Sequence, residues 1–355
     1  MEVVLSDPTY QAPQTPSLLE RVAAPFICDR RDAPFLQLMA VQTLTVLPTG
    51  IVLFVPGAFR WWLAAVHFGL VVYFLGPFVL MLHNTSHRRL FRHRWGWMNL
   101  YIPWILGPFF GESPETYFAH HVGMHHAENN LDADLSSTMR YQRDSALHFA
   151  RYFLRFFFFG LCEIVVYFAR KRRRSLLIRF LVGELFFLSG LAALFVFVDW
   201  RATLVVFLVP FVVARFAMMA GNWGQHAFVD EKCPENNYRN SITCINSTYN
   251  RRCFNDGYHI GHHLKATRHW TEMPEDFQRN LPKYAAERAL IFSGVDFFQV
   301  WLALMLRRYD WLVRRVVRLG ENPPSQEDLV QTMRMRTRRI ESAVGRVPSF
   351  GLPLS

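Results

Sequence analysis

What this 355-residue chain lacks narrows its class before any motif is read. Cysteine is scarce: Cys28, Cys162, Cys233, Cys244 and Cys253 form neither a CxxC pair nor an even framework, which argues against a disulfide scaffold or a zinc ribbon. Reduced thiols on a cytoplasmic face are the simpler account. The first 32 residues hold charges and prolines but no apolar run, so a cleavable signal peptide is not expected and the first apolar segment directs insertion itself. No HExxH occurs, and no Glu is followed by His three positions later. The first absence disfavours a metalloprotease helix, the second a carboxylate-rich di-iron bundle.

What is present is apolar. Hydrophobic residues make up 51% of the chain, and four runs approach the roughly 20 residues that cross a bilayer: Leu36 to Val55, Trp61 to Leu82, Phe180 to Val198 and Ala202 to Ala220. Only "PGAFR" separates the first two and "DWR" the last two, so each pair is an antiparallel hairpin that returns the chain to its starting side. The formal charge of +11 is placed unevenly: the runs His87 to Arg94 and Arg170 to Arg174 flank apolar segments, whereas the two tight turns hold one Arg each. By the positive-inside tendency the basic ends face the cytoplasm. The charge hugs membrane ends and no nucleic-acid module is recognisable, so anionic lipid headgroups are the expected contact and nucleic acid is not.

Three stretches test this layout. Trp95 to Gly111 is apolar but short and broken by Pro103, Gly107 and Pro108, and is expected to be re-entrant or interfacial. Phe149 to Arg174 carries Arg151, Arg155 and Glu163 in its apolar face, and Phe292 to Leu319 turns basic halfway; both are expected as interfacial amphipathic helices. Glu184 and Arg215 sit one turn inside the cytoplasmic ends of neighbouring spans and are expected to pair. The expected architecture is a single all-α integral-membrane domain over 1–355, with four transmembrane helices as two hairpins, interfacial helices and a cytoplasmic cap. A polar tail over 322–355 forms one short surface helix and a loose end.

Nine of the 14 histidines fall in three knots: "HNTSH" at 83–87, "HHVGMHH" at 120–126 and "HIGHH" at 259–263. Residues three or four apart share a helix face. His83 and His87 therefore point together, His121 and His125 do so with His126 beside them, and His259, His262 and His263 repeat the pattern. The hairpins bring all three knots to one face. A fourth element, "GNWGQHAF", puts Asn222 and His226 at i, i+4 on that same side. One HxxxH alone is more often a surface or packed pair than a ligand set. Several that converge exceed the four ligands of a tetrahedral zinc site, and two metals are the economical count. Of the rest, His67 is expected to be packed or hydrogen-bonded within span two, while His93, His148 and His269 face the interface.

The order HxxxH, HxxxHH, NxxxH, HxxHH, with helical hairpins between, resembles the membrane fatty acid desaturase and hydroxylase superfamily. The stretch "NDGYHIGHHLKATRHWTEMP" (Asn255 to Pro274) is similar to that family's third histidine box with its downstream Pro. The resemblance extends from the first span to about residue 275 and does not cover the last 80 residues. It implies two irons held by His83, His87, His121, His125, His126, His226, His259, His262 and His263. It also implies Asn222 acting through a water, His120 behind the ligands, and O2 as co-substrate. Glu128, Asp132, Asp134 and Asp256 are candidates to orient the ligands, with one or two of them expected to do so.

The implied reaction is oxidation of an unactivated C–H bond of a fatty acyl chain, carried as free acid, thioester or lipid. Desaturation is the first expectation; hydroxylation and oxidative decarboxylation to a terminal alkene follow. Substrate placement relative to the irons decides among them. Aromatic and small residues of spans two and four could line an acyl tunnel, although ordinary packing explains them as well. No HPGG-type haem segment occurs, so electrons are expected from a separate ferredoxin or cytochrome with its reductase, and the basic face would favour an acidic carrier. Arginine far outnumbers lysine, a composition that favours a bacterial inner membrane over the endoplasmic reticulum. From outside the class, a histidine-rich zinc transporter would need polar groups at mid-membrane, where these spans are largely apolar. A lipid-binding protein without enzymatic activity would hold no metal in stoichiometric amount.

Overall fold

The computed structural model describes residues 3–11, 15–320 and 322–340; the end of the expected polar tail, 341–355, lies outside the described residues. Long apolar helices dominate: α1 (Ala33–Val52), α2 (Trp61–His87), α3 (Ala146–Arg170), α4 (Arg174–Phe197) and α5 (Trp200–Gln225). Among the described residues these five, α1 with a short extension, are long and apolar enough to cross a membrane, one more than the four runs expected. The additional one is α3, the segment expected at the interface. Its Arg155 and Glu163 pair at 2.8 Å, which lets the charges sit in an apolar helix without interrupting it.

Local chemistry sets the hairpins. Gly57 turns the chain between α1 and α2 with φ +76, a value that an L side chain adopts only with strain. Asp199 opens α5 by accepting from the amides of Arg201 at 2.8 Å and Ala202 at 3.2 Å, the first donors of a helix that have no partner inside it. Within α5, Leu204–Leu208 forms a π-turn ahead of Pro210. Pro210 has no N–H to give the preceding turn, and the wider turn accommodates this. The polar residues closing α2 stay helical by bonding backward: Asn84, Thr85 and Ser86 donate to the carbonyls of Leu80, Met81 and Leu82 at 2.8, 2.9 and 2.7 Å.

The stretch Trp95 to Gly111 breaks into a 3-10 segment (His93–Leu100), a π-turn (Ile102–Leu106) and one short helical turn (Gly107–Phe109). The loop that follows is wedged between α4 and α5. A Cβ on Gly183 would lie 1.6 Å from the Pro114 carbonyl oxygen, and one on Gly111, at φ +77, would lie 2.3 Å from the Phe211 nitrogen. Glu184 and Arg215 pair there at 3.1 Å, as expected from sequence. Thr116 adds a 2.9 Å bond to Glu184, and the Gly111 carbonyl accepts from Arg215 at 3.2 Å.

The chain after α5 forms a separately cored cap. A two-stranded parallel sheet pairs β1 (Thr243–Ile245) with β2 (Ile291–Ser293), Thr243 opposite Ile291. Between the strands lies α6 (His259–Leu264), which carries the third knot. The single amphipathic helix expected over 292–319 is not there. β2 takes its start, α7 (Phe297–Met305) follows, and Arg307 at φ +51 breaks the helix before Tyr309–Val313. Its apolar residues Val300, Leu304 and Leu312 pack into the cap core with Phe292 instead of facing lipid. In the tail, α8 (Gln326–Arg336) starts with a Ser325–Asp328 capping box and buries Leu329 and Met333 in that core.

Candidate metal centre

Nine imidazoles from four stretches of chain meet between the carboxyl ends of α2 and α5 and the cap. His83, His87, His121, His126 and His262 each offer a nitrogen within 4.8 Å of the others. His125, His226 and His263 form a second such group. His259 joins it, with Nε2 3.2 Å from His226 Nε2 and 3.0 Å from His263 Nε2. The two groups are adjacent: the rings of His125 and His126 have centroids 5.8 Å apart, and those of His126 and His263 5.0 Å.

The partition corrects the helix-face expectation at the second knot. His121 and His125 do not share a group; His121 faces His126 instead, Nε2 to Nε2 at 3.1 Å. Phe118–His125 is π-helical, with the His126 amide donating to the His121 carbonyl, so residues five apart are bonded across one wide turn. At the doublets His125–His126 and His262–His263 the adjacent rings diverge, and each doublet sends one ring to each group: His126 and His262 to the five, His125 and His263 to the four.

Two of the four candidate carboxylates hold ligand-type rings. Asp134 sits 2.7 Å from His125 Nδ1 and also accepts from the amides of Asn130 and Ser136 and from the Ser136 hydroxyl. Asp256 lies 3.2 Å from His83 Nδ1 and accepts from Tyr249 at 2.8 Å. Glu128 turns away, to Tyr167 and Lys171. A further holder was not anticipated from sequence: the Asn240 carbonyl, 3.0 Å from His226 Nδ1. A backbone oxygen distant in sequence carries no residue-type signal.

These contacts test whether the donor set suits a metal. Where Nδ1 donates to an oxygen, the neutral ring presents a bare lone pair at Nε2. That applies to His83, His125 and His226, yet His83 Nε2 lies 2.9 Å from His262 Nε2, and His262 Nε2 lies 2.9 Å from His126 Nε2. Nitrogen lone pairs directed at one another in a buried site are favourable with a cation between them. Burial, then the neighbouring imidazoles, push His121, His259, His262 and His263 well below the usual range. Burial and His125 bring His226 down to about 3. All are therefore neutral at neutral pH, the form that ligates metal. Burial raises the Asp134 carboxyl, but His125 and Ser136 outweigh it and the net direction is down. The residues fit divalent first-row metal ions with nitrogen preference.

Around the groups, Asn222 gives its amide hydrogens to the Ser136 carbonyl at 3.0 Å and the Tyr152 hydroxyl at 2.7 Å. His120 belongs to neither group; it faces Phe156, and its Nε2 has no partner among the described residues. His67 is buried 3.0 Å from Thr49, as expected, and His93 is exposed. His148 is half-buried and accepts from the Gln142 amide at 2.7 Å. His269 corrects its expectation: it is buried 2.9 Å from Asp32, tying the chain after the third knot to the start of α1.

A family model described as "Fatty acid desaturase" matches residues 19–294, from before α1 through β2. No curated protein and no solved structure matches the chain.

Proposed function

The chain belongs to the fatty acid desaturase family, whose membership implies an oxidoreductase, and we propose that it is an O2-dependent fatty acyl desaturase with two irons held by the nine histidines. The observation that carries this reading is the convergence of nine imidazoles into adjacent groups of five and four. Two irons held there would supply the O2 activation that oxidation of an unactivated C–H bond needs. Asp134, Asp256 and the Asn240 carbonyl fix the tautomers of His125, His83 and His226, so that Nε2 is available without a proton having to leave. Tyr152 and the Ser136 carbonyl hold the Asn222 amide, whose own carbonyl oxygen is assigned to a water beside the centre.

The proposed topology is four spans, α1–α2 and α4–α5, with α3 lying along the membrane face. Both ends of α3 touch one short stretch: Tyr152 donates to the Ser136 carbonyl at 3.1 Å and Tyr167 to Glu128 at 2.5 Å. A crossing α3 would put His226 and His125 on opposite faces by parity, whereas their ring centroids are 5.3 Å apart. The basic runs at the histidine side favour the cytoplasmic face, in a bacterial inner membrane by composition. Electrons come from a separate ferredoxin or cytochrome with its reductase.

The test is lipid analysis of a host expressing the protein, scoring new double bonds, hydroxyls and terminal alkenes together. Two irons per purified chain and new unsaturation support the proposal; hydroxyls or alkenes in its place redirect it within the family. Stoichiometric zinc without oxidation products overturns it.

A further inference from the structure

A cavity of about 270 Å3 borders His83, His121, His125 and His259 and runs between apolar side chains of α2, α3 and α5. Glu112, Thr116 and Arg215 also border it. Such charge is out of place in a tunnel for hydrocarbon alone.

Arg215 is already committed, 3.1 Å from Glu184 and 3.6 Å over the Phe211 ring, and Thr116 donates to Glu184. Glu112 is not. It is 2% exposed, and its Oε1 has no hydrogen-bond partner among the described residues. The unpartnered Nε2 of His120 lies on a residue of the same lining. Burial pushes the Glu112 carboxyl up to about 7, against the pull of Arg215, so at neutral pH it can donate or accept. Buried polar groups in folded proteins find partners, and an exception calls for one from outside the chain.

An acyl chain threaded tail-first would bring only methylenes to Glu112 and leave it unpartnered. A phosphate-bearing head would add dense negative charge beside Glu112 and Glu184. A carboxyl group suits the site: it can share one proton with Glu112, and Arg215 offsets the remaining charge. We propose that Glu112, with His120 as a second polar contact, binds the carboxyl group of an unesterified fatty acid that enters the cavity head first. This deepens the preceding reading and rests on it for the role of the histidines. Thr116 and His121 are five residues apart on one helical segment, little more than one turn, so a carboxyl at that end puts the first few chain carbons beneath the histidines. The cavity is narrow and lined mostly by apolar side chains, so decanoic acid, a chain of medium length, is a suitable probe.

The experiment is displacement of radiolabelled decanoic acid from the purified, full-length protein without O2, with iron counted on the same sample. Methyl decanoate and decanoyl-CoA are expected to displace it about tenfold more weakly than unlabelled decanoic acid, the scale of one hydrogen bond to a charged group. E112L should bind the acid about tenfold more weakly with methyl ester binding kept or improved, and E112Q, which retains hydrogen bonding, should fall between. Equal displacement by acid and ester, or an E112L protein that binds the acid normally, overturns the proposal. Should E112L not fold, the acid-to-ester comparison on the unaltered chain decides. Acid preference in a sample without iron removes the oxidase reading alone; iron without acid preference removes this proposal alone.

Discussion

The two histidine groups are built to different standards of rigidity. In the group of four, His125, His226 and His259 are buried, and the first two are held by oxygens 2.7 and 3.0 Å from Nδ1. Asp134, in turn, is held by donors from Asn130 and Ser136. In the group of five, His87, His121 and His126 are half-buried, and Asp256 stands 3.2 Å from the one ring it holds, His83. The difference teaches that a shared chemistry is presented by one stiff, more deeply buried site and one more open site, both bordering the cavity. The rings of the stiff group are fixed by neighbouring oxygens, whereas the open one has more rings and fewer oxygens holding them.

The sharpest way to break that comparison is to remove one ring from each group. H226A and H121A should each lose about one of two irons and more than about 100-fold of activity, read by iron per chain and product formation. A variant in one group that strips both irons would mean the groups are one site. Next in size, D134N should lower metal affinity or activity about 10- to 100-fold, with D256N at the low end of that range, because Asp134 lies 2.7 Å from its ring and Asp256 3.2 Å. Equal effects would erase the distinction. Timed exposure to a chelator should remove half of the iron in a fast phase, missing in H121A and kept in H226A. The smallest effect is expected of Y152F, which removes the hydroxyl between Ser136 and Asn222 at a cost of about 1 kcal/mol, seen as a few-fold loss in turnover with iron content unchanged.

Much of this was legible because it is encoded locally. Apolar runs, the PGAFR and DWR turns and the spacing of the knots place nine histidines at one end of two hairpins, and Glu184 beside Arg215, with no knowledge of tertiary contacts. The partition into five and four was not legible. It depends on Phe118–His125 winding as a π-helix, a choice of backbone period that the residues "FAHHVGMH" do not announce. For α3 the sequence reads as an interfacial helix, its length and apolar content fit a span as well, and the contacts of Tyr152 and Tyr167 at its two ends support the proposal that it lies flat. Glu112 drew no notice in the sequence, although a carboxylate placed directly after a broken apolar stretch is a signal that could have been read.

The sequence by itself determined the kind of chemistry, since clustered neutral imidazoles and apolar spans follow from residue type and spacing alone. Tertiary structure decided which ring serves which group, which oxygens hold them, and which buried carboxyl is left without a partner. Those depend on distances between residues up to 179 positions apart, as between His83 and His262, and such distances are set by packing of the whole chain, not by any local preference.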